Sequence, residues 1–191
     1  DRIRSRGLGD VYKRQETYEA MMLLIESQPS FHSIWSLEHF PVFTIGISEK
    51  EITEDKLKTP PFIKTDRGGK TTFHAPGQQV FYFILNMKKL PFPPTDLTKK
   101  ILETTSSVLA SYDLKHNINA HDPGIFIEKQ KVASIGMRIK KNYSYHGLSI
   151  NIETDLDTFN SIKPCGLDVQ ACNLKDYICL LYTSPSPRDR I

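Results

Sequence analysis

Helix-like and strand-like hydrophobic patterns alternate along the chain. Apolar residues recur at three- and four-residue spacing among good helix formers at 16–27 and 95–112, which predicts two helices. Shorter helical segments are expected at 155–161, after a Thr-Asp cap, and in the charged stretch 49–58. The apolar stripe predicted for the second long helix consists of Leu97, Ile101, Val108 and Leu109.

Runs rich in β-branched and aromatic residues predict the strands between these helices. The run QVFYFIL at 79–85 is continuously apolar, which predicts a strand buried on both faces. No internal repeat or low-complexity segment is visible, so we expect a single α/β (α+β) domain with a mixed, largely antiparallel sheet flanked by helices. The other predicted strands lie at 34–37, 42–45, 62–65, 114–118, 124–128, 131–139 and 143–152.

The two ends of the chain differ from its middle. Residues 5–15 and 179–189 resemble translations of one sequencing-library adapter in opposite orientations, the alternative being natural disordered tails. Without residues 1–15 and 179–191, which hold seven of 25 basic and three of 22 acidic residues, 18 basic and 19 acidic residues remain. The net charge of +3 therefore gives no support to nucleic-acid binding. We expect one domain at 16–178, cut short at both ends.

Composition places the protein among soluble globular proteins, with 39% hydrophobic and 25% charged residues. Neither a run of 18 apolar residues nor a secretory signal is present, so no membrane partner is expected. The odd and scattered Cys165, Cys172 and Cys179 indicate a reducing, cytoplasmic compartment, and no Cys or His pair has zinc-finger spacing.

A glycine-rich stretch, RGGKTTFHAPGQ at 67–78, lies between two predicted strands and reads as a binding loop on a sheet scaffold. Its glycines allow close backbone approach to a ligand, and Arg67 has a planar fork of donors that suits an oxygen-rich group. His74 follows the glycines directly. A simple turn is the alternative interpretation.

Three further residues are candidates for chemistry. Cys165 lies between Pro164 and Gly166, a rigid frame that suits a nucleophilic thiol, although a lone Cys is more often structural. Lys131, at the start of an apolar strand, is the candidate cation that would lower the pKa of such a thiol; an exposed surface Lys is the alternative. His146 could shape a ligand site or handle a proton, or it could be a core histidine.

Several segments together resemble one family, the octanoyl-acyl-carrier-protein:protein octanoyltransferases of lipoate biosynthesis (the LipB family). The resemblance covers about residues 16–174. It implies a fold like that of biotin and lipoate ligase catalytic domains. The matching segments, in order, are EHFPVFTIG (38–46), RGGKTTFHAPGQ (67–78), PGIFI (123–127), KVASIG (131–136), HGLSIN (146–151) and IKPCG (162–166).

The resemblance implies transfer of an octanoyl or lipoyl group from acyl carrier protein to a lysine of a lipoyl domain. Cys165 would carry the thioester intermediate, Lys131 would assist it, and His146 and Gly77 would support the site. The implied acceptors are lipoyl domains of 2-oxoacid dehydrogenases and the glycine cleavage H protein, and no cofactor or metal is implied. The acyl site would be lined by Arg67, Gly68, Gly69, Lys70, Thr71, Thr72, Phe73, His74, Ser134, Ile135, Gly136, Gly147, Leu148 and Ser149.

Two residues depart from the family pattern. Ala75 replaces a glycine, which would strain the loop by roughly 1 kcal/mol if that position required a positive φ. Phe73 stands where Tyr is frequent. Two other functions stay open at this point: an ATP-dependent lipoate or biotin ligase on the same fold, and an inactive module that binds acyl carrier protein.

Overall fold

Two β-sheets and three α-helices make up the part of the chain that the computed structural model describes, residues 11–49, 60–119, 121–161 and 169–178. The helices are α1 (Arg14–Glu26), α2 (Leu97–Ala110) and α3 (Leu156–Asn160). The strands are β1 (Val11–Tyr12), β2 (Ser33–His39), β3 (Val42–Ile45), β4 (Phe62–Lys64), β5 (Thr72–His74), β6 (Gln78–Ile84), β7 (Asn117–Asn119), β8 (Gly124–Ile127), β9 (Gln130–Lys140) and β10 (Tyr143–Asn151).

The larger sheet has seven strands in the order β1-β2-β6-β10-β9-β8-β7, and the smaller one has the order β4-β3-β5. Only the β1–β2 and β3–β4 pairs are parallel. The other pairs are antiparallel. The predicted mixed, largely antiparallel sheet flanked by helices is therefore confirmed.

Helices α1 and α2 cover opposite faces of the larger sheet. Met21 and Ile25 of α1 pack in one cluster with Tyr82 of β6, whereas the neighbouring Phe83 packs in the cluster that contains α2. Because successive side chains of a strand point to opposite faces, the two helices must lie on different sides. A third cluster, around Phe43 and Phe73, joins the smaller sheet to α3.

The prediction that β6 is buried on both faces is wrong. Its burial alternates: Gln78, Val80, Tyr82 and Ile84 are buried, and the residues between them are only half-buried. The reason is the position of α2, which packs over β7, β8 and β9 and leaves the facing side of β6 incompletely covered.

The predicted stripe of α2 is correct for three residues and wrong for one. Val108 is 54% exposed, and Leu102 is buried in its place. Leu102 and Leu109 lie two turns apart on the same face of the helix, and this face packs against the sheet. Val108 lies at the border of that buried face. Strand β5, inside the glycine-rich stretch, was not predicted.

The predicted helical segment at 49–58 falls almost wholly outside the described residues. Within the described ranges, none of the helices combines the length and the apolar composition that crossing a bilayer requires.

Truncation of a buried leucine should cost more stability than truncation of an exposed one. Leu102→Ala removes a side chain that is 3% exposed, and we expect it to lower the free energy of unfolding by about 2–5 kcal/mol. Leu23→Ala, the same change at a position of α1 that is 72% exposed, should alter it by less than about 0.5 kcal/mol. Urea denaturation measures both, and equal losses would contradict the packing of α2.

Candidate active site

A cavity of about 530 Å³ lies between the glycine-rich stretch and the larger sheet. It brings together most of the residues singled out from the sequence. Those that line it are Arg67, Gly68, Gly69, Lys70, Thr71, Thr72, His74, Lys131, Ser134, Ile135, Gly136, His146, Gly147, Leu148 and Ser149.

Small residues on two neighbouring strands form the floor of this cavity. Gly136 of β9 pairs with Gly147 of β10, and Ser134 pairs with Ser149. Residues directly opposite each other in a sheet point to the same face, so these four positions leave a shallow trough. Tyr82 and Val80, their partners on β6, continue the same face with larger side chains.

The glycine loop (residues 67–71) packs directly on β9. A Cβ atom added to Gly136 would lie 2.7 Å from the carbonyl oxygen of Gly68, closer than such atoms can approach. On its other side, the loop accepts backbone hydrogen bonds from residues 46–48, which follow β3; the distances are 3.0–3.3 Å. The loop is therefore held from both sides by backbone contacts.

The guanidinium of Arg67 is used to hold this loop. Its Nε donates to Thr44 Oγ1 at 3.1 Å, its Nη2 donates to the carbonyl oxygen of Thr44 at 2.6 Å, and its Nη1 donates to the carbonyl oxygen of Gly68 at 3.0 Å. The sequence suggested that this fork faces a ligand. In the structure, three of its donors are directed at β3 and at the loop itself, although the residue also lines the cavity.

A buried ion pair lies at one end of the cavity. Lys131 Nζ is 2.7 Å from Asp122 Oδ1, and both side chains are almost fully buried. The ammonium also lies over the ring of Phe126, 5.4 Å from its centroid. Lys131 is thus not the exposed surface residue that the sequence left open. Asp122 was missed; its place just before the Pro123-Gly124 turn was the available signal.

The backbone of Lys131 pairs with the chain that follows the undescribed segment 162–168. Its N–H donates to the carbonyl oxygen of Gln170 at 2.9 Å, and its carbonyl oxygen accepts from the N–H of Cys172 at 3.1 Å. On the other side of that segment, Phe159 of α3 lines the cavity. Cys165 itself lies outside the described residues.

Two buried neutral histidines connect the glycine-rich stretch to the sheet. His39 Nδ1 lies 3.0 Å from the carbonyl oxygen of Tyr12, so it carries the proton, and Nε2 accepts from the Tyr82 hydroxyl at 2.6 Å. His74 Nδ1 faces Gln78 Oε1 at 2.6 Å. Burial lowers the pKa of His39 to about 3 and lowers that of His74 well below its usual value.

His146 is held in a left-handed conformation, φ 62°, within β10. Its Nε2 donates to Asp66 Oδ1 at 2.8 Å, and its Nδ1 accepts from Arg14 Nη2 at 2.9 Å. Burial first, and then the charge of Arg14, lowers the pKa of His146 to about 4. Burial alone would raise the pKa of Asp66, but hydrogen bonds from Tyr145 and His146 lower it. This strained, fully bonded histidine shapes the cavity wall.

Arg14 lies within the first stretch that resembles an adapter translation. Val11 and Tyr12 of the same stretch pair with β2.

Five residues of the glycine-rich stretch, Phe73 and residues 75–78, do not line the cavity. Phe73 packs with Phe43 and Phe159 in the aromatic cluster. Ala75 belongs to the same cluster and does not have a positive φ, so its methyl group causes no strain. Gly77 does have a positive φ of 83°, and a side chain there would meet the carbonyl oxygen of Glu153. It is a structural turn residue.

Comparison with known proteins decides the family. Residues 10–184 match the model of the lipoyl protein ligase A/B catalytic domain. An octanoyltransferase of Buchnera aphidicola is 36% identical over 153 residues, 78% of this chain and 70% of that protein. An octanoyltransferase of Wigglesworthia glossinidia brevipalpis is 36% identical over 181 residues, 93% of this chain and 83% of that protein.

The chain belongs to the lipoyl protein ligase A/B catalytic domain family. The fold agrees: a lipoate-protein ligase A bound with ATP superposes with a TM-score of 0.73 at 14% identity, covering 98% of this chain and 80% of that one. At that identity the likeness concerns the fold alone.

Within this family member, Cys172 has the surroundings of a structural thiol. It is 3% exposed in the cluster under α2, and burial raises its pKa to about 11. A thiol that is protonated at neutral pH is a poor nucleophile.

The buried histidines predict a loss of stability in mild acid. The folded protein keeps His39 and His146 neutral, whereas the unfolded chain protonates them below about pH 6.5. Their contribution is complete above that pH and falls as the pH drops toward 4. We expect a loss of roughly 2 kcal/mol per histidine between pH 7 and pH 5.

His39→Gln should therefore flatten the pH dependence of the unfolding free energy, while His121→Gln, at an exposed site, should leave it unchanged. Urea denaturation at several pH values measures both variants. Identical slopes in the two variants would show that His39 is not buried in its neutral form.

Proposed function

We propose that this chain is an octanoyltransferase of lipoate biosynthesis, which moves an octanoyl group from acyl carrier protein to a lysine of a lipoyl domain. One observation carries the proposal: the predicted acyl-site residues converge on a single cavity, with the buried ammonium of Lys131 at its end. The octanoyltransferase names of the relatives from Buchnera and Wigglesworthia support the same reaction.

Cys165 is the proposed nucleophile. Its thiolate attacks the carbonyl carbon of the donor thioester, the bond to the carrier sulfur breaks, and the carrier leaves as a thiolate. The amine of the acceptor lysine then attacks the new thioester, loses a proton, and releases Cys165. Both flanks of the segment that contains Cys165 lie at the cavity, through Phe159 and through the pairing of Gln170 with Lys131.

Lys131 is proposed to stabilise this thiolate as an ammonium. Its burial supports the role, because a charge with little solvent around it acts more strongly on a neighbouring group than an exposed one does. After acylation it stays beside the reacting carbonyl, where a positive charge favours the developing oxyanion.

The acyl chain is proposed to lie along the apolar part of the cavity. Val80 and Tyr82 line it from the sheet, and Phe159 lines it from α3. A volume of about 530 Å³ is within the range of ordinary small-ligand sites.

The proposed partners follow from the reaction. Octanoyl-acyl carrier protein is the donor, and the lipoyl domains of 2-oxoacid dehydrogenases and the glycine cleavage H protein are the acceptors, in the cytoplasm. Residues 16–178 are proposed as the catalytic domain.

A ligase on the same fold would instead activate free octanoate with ATP. The two reactions differ in their requirements: we expect transfer from octanoyl-acyl carrier protein without ATP, and no modification of a lipoyl domain from octanoate and ATP. Mass spectrometry of the lipoyl domain distinguishes them.

Replacing the proposed nucleophile should abolish the covalent intermediate. Incubated with octanoyl-acyl carrier protein, the wild type should gain one octanoyl mass, and Cys165→Ala should gain none. Cys172→Ala is the matched control and should still be acylated. Intact-protein mass spectrometry measures all three, and octanoyl mass on Cys165→Ala would assign the nucleophile elsewhere.

Removing the proposed cation should change the reactivity of the thiol. Without the ammonium the thiolate is less stable, so Lys131→Ala should move the midpoint of Cys165 alkylation to higher pH by about 1 unit or more. Lys129→Ala, at an exposed position two residues away, should leave the midpoint in place. An unmoved midpoint in Lys131→Ala would place the ammonium away from the thiol.

A further inference from the structure

We propose that Asp122 is a positioning residue for the reaction, acting by fixing the direction of the Lys131 ammonium. The inference rests on the proposed function, in which that ammonium faces the reacting sulfur and carbonyl. Asp122 lies outside every motif that carries the family resemblance, and its side chain reaches the cavity from the turn before β8.

The ion pair is short and shielded from solvent. Lys131 Nζ and Asp122 Oδ1 are 2.7 Å apart, and the exposed fractions of the two side chains are 8% and 13%. At this distance and burial the attraction is not screened as it is between surface charges. The pair therefore holds one arrangement.

The stem of Lys131 has little freedom of its own. Gly124 of β8 packs against it: a Cβ atom added there would lie 2.4 Å from Lys131 Cε and 2.5 Å from the carbonyl oxygen of Ala133. The ring of Phe126 lies below the ammonium. With the stem enclosed by β8, only the final direction of Nζ is left for a partner to set, and Asp122 is placed to set it.

The pair is not needed to hold β9 in place. The backbone of Lys131 is already bonded to Gln170 and Cys172. Burying two charges costs free energy that their attraction only partly offsets. In addition, Asp122 Oδ2 is buried and has no hydrogen-bond partner among the described residues. A buried ion pair is weak evidence for a role in stability, and the place of this pair in the cavity points to a role in the reaction.

The chemical consequence concerns the donors of the ammonium. An ammonium has three N–H bonds, and Asp122 accepts one of them. This hydrogen bond restricts the directions in which the other two N–H bonds of the ammonium can point.

A double-mutant cycle tests this role. Asp122→Ala, Lys131→Ala and the combined variant are compared by their single-turnover rates of octanoyl transfer from octanoyl-acyl carrier protein to a lipoyl domain. We expect Asp122→Ala to slow transfer by about tenfold or more when Lys131 is present and by less than about twofold in the Lys131→Ala background. Asp157→Ala, at an exposed site, should not change the rate.

A purely structural role would slow transfer by the same factor in both backgrounds, and that result would overturn the proposal. Should Asp122→Ala fail to fold, the same cycle is run with Asp122→Asn, which keeps an oxygen acceptor but removes the charge. The same prediction applies, with a smaller loss when Lys131 is present.

A second measurement separates failure of this inference from failure of the proposed function. If the wild type transfers no octanoyl group, the proposed function fails. The reactivity of the Lys131 amine toward acetic anhydride, followed by peptide mass spectrometry, still tests the contact. We expect acetylation at Lys131 to rise about fivefold or more in Asp122→Ala, because the amine loses its partner. Equal acetylation would overturn the positioning of Lys131 by Asp122.

Discussion

The site depends on one close backbone contact, that of the glycine loop with strand β9. The carbonyl oxygen of Gly68 occupies the space that a side chain at position 136 would need. Arg67 and the backbone of residues 46–48 hold the loop from the opposite side. Gly136 therefore lets the loop lie directly on the sheet, and residues of both line the cavity. At Gly147 the missing side chain lets the carbonyl oxygen of Phe81 approach the backbone.

The electrostatics of the cavity follow from its burial. Two histidines that line it, His74 and His146, are buried, and so is His39, whose ring centroid lies 5.7 Å from that of His74. Burial is the largest cause of the lowered pKa values of all three. They hold their neighbours through hydrogen bonds and stay neutral at neutral pH. In our proposal, the cation that serves the covalent acyl transfer is Lys131, with Asp122 beside it. In our account, backbone contacts define the cavity, buried neutral histidines hold the nearby segments in place, and the Lys131–Asp122 ion pair provides the charge that acts on the reacting groups.

Much of the fold could be predicted because its strands obey local rules. Strand β3 has the predicted bounds, and β8 to β10 differ from prediction by a residue or so, since polar turns separate apolar runs there. Strand β5 was not predicted because it has only three residues and pairs with β3, which is distant in sequence, rather than with an adjacent strand. The half-exposure of one side of β6 depends on where α2 packs, which composition does not reveal.

The sequence predicted which residues belong to the site but not how their side chains are arranged. The motifs identified the glycine loop, Lys131 and the two small-residue notches, all of which meet at the cavity. Sequence could not show that the Arg67 fork turns toward β3, that Phe73 joins the core, or that Asp122 reaches Lys131 across a turn. Each of these depends on the direction of a side chain after folding, and neighbouring residues in sequence do not determine that direction.

The central claim is that the cavity carries an acyl group covalently between two proteins. A chase experiment tests it most directly. The wild-type protein is acylated with isotope-labelled octanoyl-acyl carrier protein, separated from the donor, and mixed with an unmodified lipoyl domain in the absence of ATP. Our account predicts that the label leaves the protein and appears on the lipoyl-domain lysine at matching rates. Label that stays on the protein, or that moves only when ATP is added, would contradict it.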